Sequence, residues 1–459
     1  MPASPSHKWA VLFAVVATQF AVPFMLSAVG VCLPQIGREY DATAIALSLV
    51  ESVFLGVNAM CLLPLGRAAD ICGRGGVFLW GLVVFALASI ALTLAGSMSA
   101  FLTIRGLQAV GGAMTLATGL ALLYDAFPRE ERGRALGISV GGIFLGISAG
   151  PFLGGMLATQ FGWRSVFYVG MAPCALAFLA CLRSLDPRLR RKPGERFDWA
   201  GAVSSAVGIG LLVFGSAHTE TAFGLAMLGL GAFVFLLFLR LEWKSPAPLV
   251  RLELFSRNRP FAMGMAAMFL ISCAAFGVSF LLSLYLQYGR GMTAAGAGTV
   301  LVIQPVIQCA ISPLFGRLAD RVPAHRLAAL GALVTAVGLG IATTLGAQSG
   351  LAPVIAALAV MGLGIGIYSS PSMVVVMAAV DQTLYGIASA LSGQSRTLGM
   401  TTCMAAVTII IAAFVGDRPL GPEVFGEYVR AMRTFFIAAT GMGLLGAVCS
   451  LRAATGGEK

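Results

Sequence analysis

The sequence predicts an all-α membrane protein that crosses the bilayer fourteen times, and three observations carry that expectation. Of its 459 residues, 58% are hydrophobic and only 11% are charged, whereas soluble domains carry about a quarter charged residues. Apolar runs of roughly 20 residues, the length that spans about 30 Å of hydrocarbon, recur from one end of the chain to the other. The Lys and Arg residues collect in alternate loops, the positive-inside pattern of membrane proteins with short loops. No stretch between the runs is long enough for a soluble domain.

The first run spans 9–36 and follows a single basic residue, Lys8. It is too long for a signal-peptide core and has no convincing cleavage site, so it reads as a retained first span. Runs at 43–65, 77–98, 101–125, 134–158 and 163–183 complete a first group of six. A basic loop leads to two shorter runs, 198–216 and 222–240. After a second polar loop come 261–287, 294–315, 325–346, 351–375, 386–414 and 430–452. With the N-terminus inside, 22 of the 30 Lys and Arg residues fall on the inner side and six on the outer, while Arg105 and Arg396 fall within spans. Both termini are therefore expected in the cytoplasm. The net charge of +11 follows this topology and is no footprint for nucleic acid. The nine cysteines lie almost all inside apolar runs without paired spacing, so neither a disulfide framework nor a metal site is expected.

Three stretches carry function. Gly137–Gly155, GISVGGIFLGISAGPFLGG, is apolar yet places Gly137, Gly146, Gly150, Gly154 and Gly155 along one span, with Pro151 beside Gly150. Glycines let a neighbouring backbone approach closely, and proline removes a helical hydrogen bond. Such a span is expected to be clamped against a partner and to bend at a fixed point. Gly66–Val77, GRAADICGRGGV, follows span 2 and is weakly echoed after span 10 by Gly316-Arg317-Leu318-Ala319-Asp320-Arg321. In span 4, Arg105-Gly-Leu-Gln108-Ala-Val-Gly111-Gly112-Ala113 places an arginine inside the membrane, where a charge costs several kcal/mol unless paired or hydrated.

These stretches resemble signatures of the major facilitator superfamily: the antiporter signature of its exporters, the loop 2–3 signature, and the span 4 signature whose arginine is implicated in proton coupling. Matches at 127–137, 163–167, 197–201, 248–255 and 386–399 make the whole similar to the 14-helix drug:proton antiporter family. The resemblance implies a major facilitator fold of two six-helix bundles, 1–184 and 261–459. A basic linker, 185–260, would carry an extra two-helix hairpin between them, and the substrate site would lie between the bundles near the midplane. It also implies a gate built from Gly66, Asp70, Gly73, Arg74 and Asp125 with Gly146, Gly150, Pro151, Gly154 and Gly155. Asp70 would sit at a helix N-terminus of the other half. Arg74 would pair with Asp125 in a latch that holds the outward-open state and breaks as the inner gate opens.

One departure matters. The family pattern carries an acidic residue in span 1, but Phe24–Pro34 reads FMLSAVGVCLP, with Met25 in the place of the aspartate and Gly30 in that of an asparagine. Glu51 in span 2, where the pattern is apolar, is the compensating candidate for the proton carrier, with Arg105 or Arg396 as candidate partner. The alternative is a hydrated carboxylate at the outer membrane edge. Polarity and aromatic character inside apolar spans nominate Gln19, Phe24, Asn58, Gln108, Tyr285, Gln304, Gln308, Tyr368, Gln394 and Arg396 for the substrate cavity. The expected function is proton-coupled export of drugs and small amphiphiles by alternating access, as a monomer in the cytoplasmic (inner) membrane. The proton gradient would supply the energy, with no cofactor and no metal. The second reading is a transporter of a specific metabolite, peptide-like product or lipid, uncoupled or importing, supported by the missing span 1 acid. No nucleophile–base pair, metal-ligand spacing or phosphate loop is present, so no enzyme is expected.

Overall fold

The structure, a computed structural model, describes residues 5–182, 198–216, 218–219, 221–244, 252–319, 321–381 and 384–454. Fourteen of its helices are long and apolar enough to cross a membrane. In chain order they are α1 (Lys8–Tyr40), α2 (Ala44–Cys72), α3 (Arg74–Thr93), α4 (Met98–Ala126), α5 (Ala135–Phe161), α6 (Arg164–Leu182) and α7 (Trp199–Ser216). There follow α8 (Ala222–Lys244), α9 (Arg259–Gly289), α10 (Ala294–Leu318), α11 (Ala324–Ala342), α12 (Leu351–Ala378), α13 (Ile387–Phe414) and α14 (Phe425–Arg452). Most of the basic linker expected between α6 and the hairpin, the stretch 245–251 and Asp320 lie outside the described residues.

Several helices overrun the apolar runs that predict them, because polar residues extend the backbone ladder until something stops it. α2 runs on through Gly66-Arg67-Ala68-Ala69-Asp70 to Cys72, and Gly73 ends it at φ 116°, a conformation that glycine adopts without strain. Arg74 then opens α3 directly, so the loop signature is largely helix. α9 ends in a π-helical turn, Tyr285–Gly289, and α10 is interrupted between Ala294–Leu301 and Ile303–Leu318.

α1 packs against α5 and α6, and α3 against α4 and α6. In the second group α11 packs against α12 and α14, and α9 against α13 and α14. The hairpin α7–α8 closes on itself where Gly208 meets the backbone of Phe235. It docks on α2 where Val213 fills the space left by Gly56.

Fourteen crossings put both termini at one end. Hydrogen bonds between the two groups gather toward the other, far end. Ser283 Oγ donates to the Gly30 carbonyl and Gln287 Nε2 to that of Val31, both at 2.9 Å. Ser48 Oγ donates to Thr408 Oγ1 at 2.9 Å, with Ser52 Oγ 3.2 Å from the same hydroxyl. The Ala295 amide donates to Thr159 Oγ1 (3.0 Å) and the Ala44 amide to the Arg418 carbonyl (3.1 Å). This seam closes the far end. Nearer the termini, the face of α13 that carries Gly393 and Arg396 is exposed.

Candidate functional site

Ser48 and Ser52 turn one face of α2 into the seam, and Glu51 lies beside them, only 4% exposed. Its carboxylate occupies the space that a side chain on Gly30 would fill: a Cβ built there would stand 2.7 Å from Glu51 Oε1. The glycine in the place of the family's asparagine thus makes room for the acid gained in span 2. The sequence offered both halves of this exchange, but nothing in it said that they touch. Gly30 also accepts the Ser283 hydrogen bond from the other half, so the carboxylate sits directly at the seam. Among the described residues it has no hydrogen-bond or ion-pair partner; the opposite charge that acts on it is Arg105, and the Cys403 thiol lies within range of its own charge. Glu51 therefore lies in a protein interior and not at a hydrated membrane edge.

Arg105 is fully buried. Its Nη1 donates to Gln108 Oε1 (2.5 Å), Gln108 Nε2 donates to Ser89 Oγ (2.7 Å), and Ser89 Oγ donates to the Phe85 carbonyl (2.7 Å). The guanidinium carbon stands 4.4 Å from the centre of the Phe54 ring, a cation–π distance. Nε and Nη2 have no hydrogen-bond partner. Gln108 and Phe54 thus hold the cation near Glu51 without an ion pair, and both atoms are free to bind water or carboxylate if the seam rearranges.

The glycine-rich helix is clamped on two sides. Toward α1, Gly142 faces the Val16 carbonyl (3.1 Å from a built Cβ), Gly146 the backbone of Phe20, Gly150 Ser27, and Gly154 Ala28. Toward α10, in the other group, Gly155 abuts the Ala294 backbone and the Pro151 carbonyl abuts Gly298. Pro151 stays within the helix, and Gly137 has open space around it.

Arg74 meets two carboxylates. Its Nε donates to Asp70 Oδ1 (2.7 Å) and its Nη1 to Asp125 Oδ2 (3.0 Å). The expected Arg74–Asp125 pair is present while the far end is sealed, and Asp70 takes up the same arginine one helical turn on, in its own half. The Asp125 side chain is only 9% exposed, which makes the pair stronger than a surface one. Asp125→Asn is expected to lower stability by about 1–2 kcal/mol, read as a lower Tm of the purified protein. An unchanged Tm would mark the pair as solvated.

The nominated cavity residues divide. Gln19 packs behind Gly142, Phe24 stacks on Phe20 with ring centroids 5.4 Å apart, and Asn58 Nδ2 donates to the Ala109 carbonyl at 3.5 Å. Gln304 packs its backbone on Gly362, and Gln394 Nε2 reaches the Ala59 carbonyl across the seam at 3.4 Å. Tyr368 is buried among Ile271, Ala328, Ala332 and Ala447. Tyr285 is no wall of the opening. Its hydroxyl donates to the Gly346 carbonyl (2.8 Å) and its ring packs on Phe425 inside the second bundle. Only Gln308 and Arg396 keep substantial exposure. Polarity inside an apolar run marks a residue that needs a partner; it does not say which face of the helix supplies one.

Paired helical bundles, a closable seam and charged groups buried beside it define a membrane transporter. The model of the Major Facilitator Superfamily matches residues 15–402 and 292–456, and the chain belongs to that family. It is similar to the multidrug resistance protein Stp of Mycobacterium tuberculosis, 32% identical over 397 residues that cover 84% of this chain and 73% of Stp. The riboflavin transporter RibZ of Clostridioides difficile is 27% identical, with coverage of 85% and 86%. The solved structure of a bacterial homolog of the human lysosomal transporter Spinster shares the fold at a TM-score of 0.72 and 15% identity, covering 98% of this chain and 97% of that one.

Proposed function

We propose that the protein is a proton-coupled exporter of small amphiphiles, working by alternating access as a monomer in the cytoplasmic membrane with both termini in the cytoplasm. The observation that carries this reading is Glu51, a carboxyl group without a hydrogen-bond partner wedged between Gly30 and the seam. An ionised carboxylate in that position lacks the solvation it has in water, a cost of several kcal/mol. The sealed state therefore favours the protonated acid. When the far end opens, water reaches the group, and Arg105 beside it stabilises the ion. A proton is taken up from the outer side as that side closes, it leaves to the inner side as substrate binds in the inward-facing opening, and substrate is released when the far end opens again. Coupling is then the difference in proton affinity between the two states.

The charge distribution supports the orientation. The glycine-rich α5 and the similarity to Stp support export of drug-like compounds. The transporter of one metabolite remains the second reading, supported by Met25 in the place of the family's acid and by the similarity to RibZ.

Everted vesicles energised to an acid interior test the coupling. Addition of tetracycline or 8-anilinonaphthalene-1-sulfonate is expected to release luminal protons in step with uptake of the compound. Uptake without proton release would contradict coupling. Uptake of neither, against uptake of riboflavin, would favour the second reading.

A further inference from the structure

Arg396 lies nine residues into α13 from Ile387, about 14 Å along the helix at 1.5 Å per residue. It is nevertheless exposed, and the packing of α13 says to what. Ser392, Ser395, Gly399 and Cys403 face α9, through contacts with Met265, Phe269 and Gly277. Gln394 and Thr408 face α2. Leu391 and Leu398 pack with the hairpin, beside Phe238 and beside Ile209 and Val213. At 100° per residue, one sector remains, opposite the hairpin, and it holds Gly393 and Arg396. The hairpin covers the outer side of α13, so this sector opens between the two bundles. With the far end sealed, it is reached from the end that carries the termini.

Inside that opening Arg396 has no salt bridge or hydrogen bond among the described residues, and the single ionisable group resolved to interact with it is Tyr368. Glu51 lies farther toward the far end, because its neighbours Ser48 and Ser52 meet Thr408, twelve residues or about 18 Å along α13 from Arg396, and its charge interacts with Arg105. A guanidinium held in a chamber without a counter-charge is matched by a carboxylate, sulfonate or phosphate, which it takes up through paired hydrogen bonds. On α5, nothing stands within 4 Å of a side chain built on Gly137 or Gly141.

We infer that Arg396 anchors an anionic group of the transported molecule, and that the substrates are acidic amphiphiles whose apolar body lies toward α5. This rests on the transport reading above and names its substrate class. The inference also makes lipophilic cations poor substrates.

A matched pair of probes tests it. 8-Anilinonaphthalene-1-sulfonate and N-phenyl-1-naphthylamine share one aromatic skeleton and differ by the sulfonate. Binding of each to the full-length protein in phosphatidylcholine nanodiscs is measured by equilibrium dialysis, for wild type, Arg396→Gln and Arg396→Lys, with flux of both measured in proteoliposomes. The expected result is saturable binding of the sulfonate, weakened about 10- to 100-fold by Arg396→Gln and restored in large part by Arg396→Lys, with the neutral probe unaffected. Equal binding of both probes, or a sulfonate affinity indifferent to Arg396→Gln, overturns the inference, as does the absence of saturable sulfonate binding. Loss of binding when phosphatidylglycerol replaces phosphatidylcholine assigns the site to a lipid headgroup and likewise overturns it. Sulfonate binding that depends on Arg396, without any flux, upholds the anion site and refutes the exporter reading, so the two fail separately.

Discussion

Glu51→Gln is expected to abolish substrate accumulation driven by a pH gradient while leaving exchange of substrate across the membrane within about twofold of wild type. Glutamine keeps the shape of the protonated acid and fits the same space beside Gly30. The variant therefore closes its seam as the wild type does, and it can still shuttle between states with substrate bound. What it loses is the proton that differs between those states, and with it the energetic link to the gradient. Counterflow in proteoliposomes separates the two functions: radiolabelled substrate exchanges against unlabelled substrate with no gradient imposed. Loss of both activities would mean that Glu51 serves folding or substrate binding. Retention of uphill transport would move the coupling to another carboxylate.

Gly146→Val is expected to remove transport and lower the Tm by several degrees, whereas Gly137→Val leaves both unchanged. The two glycines belong to one motif and differ only in surroundings. A side chain on Gly146 would run into the backbone of Phe20 and Phe24 in α1, which cannot shift without moving the helix. Overpacking of this kind costs about 1–3 kcal/mol or more. At Gly137 no atom lies within 4 Å of a built Cβ. Thermal unfolding of the purified variants, with transport measured on the same preparations, checks the pair. Equal effects at the two positions would show that the motif acts through helix flexibility and not through contact with α1.

The fourteen spans were legible because each is an apolar run of membrane length, and their ends were less so. α2 continues past Leu65 to Cys72 because polarity does not stop a helix, whereas Gly73 does. The glycine-rich span announced close packing, yet its partners on two sides, α1 and α10, are tertiary facts. Tyr285 misled for a similar reason: a tyrosine within an apolar span needs somewhere to place its hydroxyl, and here that place is the Gly346 carbonyl. Glu51 stood out as a lone acid, but its contact with Gly30 depends on how α1 and α2 are set against each other. Arg396 was visible as a cation in the membrane, and only the packing of α13 separates its open sector from the three that are covered.

The central claim is that ionisation of Glu51 opens the far-end seam. Spin labels at Asp41 and Asp417, both exposed and flanking the bridge between Thr43 and Pro419, report the width of that seam by pulsed electron resonance in nanodiscs. Protonation belongs to the sealed state, so acid favours closure and rising pH favours opening. The account predicts, without substrate, one short distance at acid pH, a second, longer population growing as the pH is raised, and a distance distribution that does not change with pH in Glu51→Gln. A pH response that persists unchanged in Glu51→Gln would contradict it.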